Sequence, residues 1–190
     1  MARDEPAQPE LKLHAYVVLG MLRVGVGSGY DIKQLVDLIA RHFWTISYPQ
    51  IYPQLDHLEQ HGLVAGRDDS TSGRRRRIYS ITPAGRRELD RWLADPEAPS
   101  LEIRDVGLLK LMVADDDGVA LEQLSRIRKR SEDAIAHLES RSRPAAEAIE
   151  GEGNPFPLVS VELGIELHRA LLRTCRTLER RVSRATSDGP

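Results

Sequence analysis

Ser47–Leu63, SYPQIYPQLDHLEQHGL, is the stretch on which the fold turns. Ile51, Leu55 and Leu58 fall at i, i+4 and i+7, one apolar stripe of a helix. Ser47 suits the N-cap, Pro49 the first turn and Gly62 the stop after the last turn. Off the stripe lie Tyr48, Gln50, Tyr52, Pro53, Gln54 and His57, uncharged and concentrated toward the amino end. A solvent-facing helix surface is usually richer in Lys and Glu. Gln, Tyr and His near a helix N-terminus suit base edges and phosphates in a DNA major groove. A plain polar surface helix fits the same residues, so the neighbouring sequence has to separate the two. Pro53 removes a backbone hydrogen bond, so either the helix starts later than Ser47 or it bends there.

Downstream, Leu63, Val64 and Ala65 begin a short strand, Asp68 to Gly73 are turn and loop formers, and Ile78, Tyr79 and Ile81 form a second β-rich run. That is a hairpin with Arg74, Arg75, Arg76 and Arg77 at its tip or on its second strand. A helix followed by a basic hairpin is the order of a winged helix, in which the helix enters the major groove and the wing touches backbone or minor groove. With no acids beside them in sequence, the four arginines favour DNA backbone over a solvated loop. The fold class expected is mostly α with a small β-hairpin wing.

These segments resemble the PadR family of bacterial transcriptional regulators. The resemblance rests on Tyr52-Pro53, Leu55 to Val64, the arginine run Arg74 to Arg77, Tyr79 to Gly85, and Trp92-Leu93. Gly29-Tyr30-Asp31-Ile32 matches the family's usual start of the second helix, and Val161-Glu162-Leu163-Gly164 that of its last helix. The resemblance implies a cytoplasmic, homodimeric repressor that binds an operator in double-stranded DNA. In that frame Ser47, Tyr48, Gln50, Tyr52, Pro53, Gln54, His57 and Arg74 to Arg77 form the DNA-binding set. It also implies a small-molecule effector near the dimer interface, for which Trp44 and Trp92 are the candidate contacts.

Charge is divided along the chain. Residues 11–94 hold 12 basic and 8 acidic side chains, residues 95–190 hold 14 and 18, and the total is −2. The basic excess sits with the winged-helix pattern, and the local field governs encounter with DNA. A single cysteine, Cys175, excludes a disulfide framework and any multi-thiolate metal site. No apolar run approaches the ~20 residues that span a bilayer. Residues 1–10 read as a disordered tail without a signal-peptide core.

The winged-helix domain is expected over 11–94 and a helical dimerisation domain over 101–184, separated by the proline-containing DPEAPS, residues 95–100. Within the second, Arg104 to Ala114 is apolar on nearly every side, which predicts a helix buried on more than one face. Residues 144–157 read as a loop in which 145–149 could restart a helix. In the last helix Val161, Gly164, His168, Leu171, Cys175, Leu178 and Val182 step by three and four, a seam that fits packing against another subunit or against the preceding helices; the resemblance implies dimerisation for it. His57 and His61 could chelate a metal but lack a third ligand, Gly25, Gly27 and Gly29 follow no strand as a dinucleotide loop requires, and no nucleophile–base pair is present. No metal, cofactor or enzymatic activity is expected. The alternative reading is a winged-helix protein–protein adaptor without DNA binding.

Overall fold

The computed structural model describes residues 11–69, 76–97, 103–151, 154 and 156–187. The expected tail at 1–10, and Arg74 and Arg75 of the arginine run, lie outside the described residues. The chain divides into two compact units, one drawn from Met1–Asp37 and Trp44–Ala98, the other from Leu38–Phe43 and Pro99–Pro190. Leu38–Phe43 thus groups with the second unit, although the sequence alone places it in the first half.

The first unit begins with α1 (Leu13–Val24), which ends at Gly25 in the left-handed region (φ 108°), and α2 (Gly29–Ile39) up to Asp37. It continues with α3 (Tyr48–Gln60), the antiparallel strands β1 (Val64–Asp69) and β2 (Arg76–Ile81), and α4 (Pro83–Ala94). Ala15, Val18, Leu19, Ile32, Val36, Ile51, Leu55, Leu58, Val64 and Leu89 are its core. Each large aliphatic side chain buried there contributes about 1.5–3 kcal/mol. Val64 lies opposite Ile81 and Asp69 opposite Arg76, so the base of the hairpin is apolar and its outer end pairs Asp68 and Asp69 with Arg77 and Arg76. Thr82 caps α4 by accepting from the Gly85 N–H at 3.1 Å. Gly85 packs so closely that an added Cβ would run into the carbonyl oxygen of Leu63.

The second unit contains α5 (Val106–Met112), α6 (Asp117–His137), one π-type turn over Leu138–Ser142, α7 (Arg143–Gly151) and α8 (Phe156–Ser187). Asp105 and Asp116 cap α5 and α6 through the Leu108 and Val119 N–H groups. Pro144 lacks the N–H that would continue the α ladder, and the wider turn sits just before it. The helix restarts there as α7, the second of the two readings the sequence leaves open.

One expectation is corrected in this unit. Helix α5 has no buried residue, whereas its apolar composition predicts burial on several faces; Val106, Leu109, Met112 and Val113 are exposed. The seam of α8 packs in part on its own chain, one of the two partners the sequence leaves open. Cys175 packs with Leu124 and Ile127 of α6, flanked by Leu178 and Leu111. Val161 and Gly164 are buried, while His168, Leu171, Leu178 and Val182 are half-buried. His168 lies 3.4 Å from the Ser131 hydroxyl, and Arg128 of α6 reaches Glu179 at 3.2 Å. At Gly164 a side chain would collide with the imidazole of His42. A three-and-four spacing identifies an inward face without identifying what covers it. Here α6 and residues near 42 do so.

Candidate nucleic-acid interface

Helix α3 starts at Tyr48, capped by Ser47, and passes through Pro53 without interruption. The later-start alternative is therefore excluded. The Ser47 N–H donates to Gln50 Oε1 at 2.9 Å, and the Ser47 hydroxyl reaches the same oxygen at 2.8 Å. This reciprocal cap satisfies donors that a helix start leaves unpaired. Gln50 is thereby turned back onto the cap, and its amide nitrogen lies 3.1 Å from His14 Nε2.

The stripe Ile51, Leu55 and Leu58 is fully buried, which fixes the roll of α3. At 3.6 residues per turn, Pro49, Pro53, Asp56 and Gln60 then occupy the middle of the outward face, and all four are exposed. Tyr48 and Tyr52 form one flank; Gln50, Gln54 and His57 form the other, with Gln54 and His57 half-buried. The sequence-derived reading set is thus split around two prolines. His57 stands 4.3 Å from His61, ring to ring, and the His57 carbonyl lies 2.8 Å from His61 Nδ1. Among the described residues no group of three metal-binding side chains converges.

The tyrosine flank extends beyond α3. Tyr30, at the start of α2, lies 6.4 Å from Tyr48, and Tyr48 lies 6.4 Å from Tyr52, with the rings of each pair nearly parallel. All three are exposed, and Gly29 lies against the Tyr52 ring, which leaves no room for a side chain. Tyr30 is not among the sequence candidates, because α2 carries no base-reading pattern of its own.

The arginines of β2 are engaged. Arg76 pairs with Asp31 of α2 and donates to the Ser28 hydroxyl at 2.6 Å. Arg77 donates to Glu59 of α3 at 2.6 Å and to Asp68 at 3.3 Å, and lies 5.6 Å from the Tyr79 ring centroid. Burial pushes the Tyr79 hydroxyl pKa up, and the Arg77 charge offsets part of that. Glu59 also accepts from the Gly66 N–H at 3.0 Å. The reading of an arginine run without acidic neighbours is therefore corrected for these two residues. Their partners are 45 and 18 residues away in the chain, apart from Asp68.

The two tryptophans sit differently. Trp92 stacks on Tyr16 at 4.7 Å, and the Tyr16 hydroxyl donates to the buried Glu88 at 2.9 Å. Trp44 lies 6.1 Å from His14, and its indole N–H is buried without a hydrogen-bond partner. Among the described residues no helix is long and apolar enough to cross a membrane.

Residues 18–91 match the transcriptional regulator PadR-like family. The negative transcriptional regulator PadR of Bacillus subtilis (strain 168) is 31% identical over 101 residues, 53% of this chain and 56% of the relative. The match spans about half the length of that relative. Among solved structures, the PadR-like transcriptional regulator BC1756 from Bacillus cereus is 25% identical, with a TM-score of 0.75 over 90% of this chain and 99% of that one. Bacillus subtilis PadR in complex with operator DNA has a TM-score of 0.77 at 20% identity, covering 92% and 99%. The same protein has been crystallised with p-coumaric acid.

Proposed function

We propose that this chain, whose residues 18–91 match the PadR-like family of transcriptional regulators, is a homodimeric, sequence-specific DNA-binding repressor of that family whose operator affinity is lowered by a small-molecule effector. The observation that carries the DNA reading is the outward face of α3, exposed, without lysine or arginine, and flanked by three tyrosines beside a basic wing. Tyr48, Tyr52 and Tyr30 would hold phosphates or sugars. Gln54 and His57 would reach base edges, joined by Gln50 once it leaves its cap; Ser47 and Pro53 shape the start of the reading helix. The operator complex and the negative-regulator role of Bacillus subtilis PadR support the repressor reading. Its p-coumaric acid complex supports an effector, with Trp44 and Trp92 as candidate reporters. The cytoplasm is the proposed location.

The homodimer is assigned to a different face from the seam. Phe156, Val159, Leu163 and Leu167 recur by three and four on α8 and are exposed, Phe156 at 75% and Leu163 at 69%. Helix α5 adds Val106, Leu109 and Met112 in the same unit. Single exposed apolar residues are ordinary, whereas an ordered stripe of them marks a contact surface. A second copy of the chain is the proposed occupant.

Selection from a randomised duplex pool tests the function. The expected product is a two-fold symmetric site with half-sites about one helical turn, ~10 base pairs, apart. Failure to enrich any sequence at low salt overturns the DNA reading and leaves the adaptor reading in its place.

A further inference from the structure

Adjacent residues on a strand point to opposite faces, and Arg76 and Arg77 use this to grip two different helices. Arg76 takes hold of α2 through Asp31 and Ser28, and Arg77 takes hold of α3 through Glu59. Both arginine side chains remain 43% exposed, so it is the ion pairs and not burial that hold them against the helices. The attachment is built on backbone as well. The Tyr79 N–H donates to the Gly27 carbonyl at 2.6 Å, and Glu59 accepts from the Gly66 N–H while holding Arg77. At Gly66 an added Cβ would lie 2.7 Å from both Glu59 Oε1 and Arg77 Nε, so that position has space for the ion pair and nothing more.

Resting on the DNA reading above, we propose that Arg76 and Arg77 are positioning residues that fix the wing to the two helices of the helix-turn-helix and touch no phosphate. The pattern is what separates this from a DNA contact. A guanidinium reaching phosphate is an exposed charge with its donors turned outward. Arg77 instead commits two nitrogens to Glu59 and Asp68 and lies near the Tyr79 ring. Drawing it to DNA would leave the Glu59 carboxylate uncompensated on the reading helix itself, facing a polyanion. The consequence for the arginine run is a division of labour, in which the second half of RRRR sets geometry and contributes nothing to counterion release.

The test is the salt dependence of binding to a duplex enriched by the wild-type protein, with a random-sequence duplex alongside. Removing a side chain that neutralises one phosphate flattens the slope of log affinity against log salt by ~0.9. For Arg77→Ala the expected result is a several-fold fall in operator affinity with an unchanged slope. The charge-reversed pair Glu59→Arg with Arg77→Glu should recover most of that affinity, because the clamp is remade with the signs exchanged. A flattened slope for Arg77→Ala, or a double variant weaker than either single one, overturns the proposal. Should Arg77→Ala fail to fold, Arg77→Gln and Arg76→Gln are read the same way. A wild-type protein without affinity for any duplex overturns the DNA reading and this role together. A wild type that binds while the Arg77 slope flattens overturns this role alone.

Discussion

Helices α3 and α8 are both amphipathic, and each carries an inward stripe legible from spacing, yet they differ in what remains once that stripe is covered. In α3, burying Ile51, Leu55 and Leu58 leaves only polar residues, prolines and tyrosines outside. In α8, burying Val161, Ile165 and Cys175 leaves a second apolar stripe, Phe156, Val159, Leu163 and Leu167. The first helix is complete within its own unit and offers hydrogen bonds outward. The second has more apolar surface than its own unit covers. Periodicity tells which residues avoid water; the surplus tells whether another molecule is needed.

The largest expected effect breaks α8 on its outer side only. Val159→Glu with Leu163→Glu places charge on the proposed contact, and light scattering should show a folded monomer. Linking two DNA-binding units raises avidity by about 10²–10⁴, and operator affinity should fall by an amount of that order. A stable dimer carrying both glutamates would remove the surplus stripe from the interface. It would return dimerisation to the seam or to another face.

A smaller effect probes the inner stripes. Leu55→Ala in α3 and Ile165→Ala in α8 each create a cavity at a fully buried site, costing about 2–5 kcal/mol by chemical denaturation. Neither change alters a charge or the outer apolar stripe. A cost well below that range at Ile165 would mean that α8 holds its inner face less tightly than α3.

The smallest effect is confined to the second unit. Burial lowers the pKa of His42 and of His168 below the ordinary value of 6.5, with His168 adding to the shift at His42 and Arg130 to that at His168. The Ser160 backbone carbonyl, which favours the protonated ring, opposes it at His42. The unfolded chain then binds more protons than the folded one, so the stability held above pH 6.5 erodes as the pH falls below that value. Thermal unfolding of His42→Gln should show a shallower decline than the wild type between neutral and mildly acidic pH. Parallel curves would show that His42 is not among the groups that take up protons on unfolding.

Much of the first unit is legible in the sequence because its signals are local. A cap at Ser47, a stripe of three aliphatics, turn formers and a Thr-Pro start to α4 each speak within a few residues. What escapes depends on distance. Asp31 and Glu59 meet the wing only after the chain has turned back on itself, so an arginine run that looks unopposed in sequence is partly neutralised in space. Gln50 reads as a base contact in sequence, whereas the local capping arrangement uses the same side chain in the unbound protein. Helix α5 is misjudged from sequence because composition reports a preference for burial without stating whether the covering surface belongs to the same chain.

Cys175 carries a practical consequence. It is 4% exposed, and burial raises its thiol pKa, so little of it is thiolate near neutral pH and reagents reach it slowly. It is also the chain's sole cysteine. A thiol introduced at an exposed position such as Ser80 on β2 could therefore take a spin label or fluorophore alone, with the native residue left in place. The protein is in effect ready for distance spectroscopy, and one label per subunit of the proposed dimer would give the spacing between two wings directly, with and without DNA.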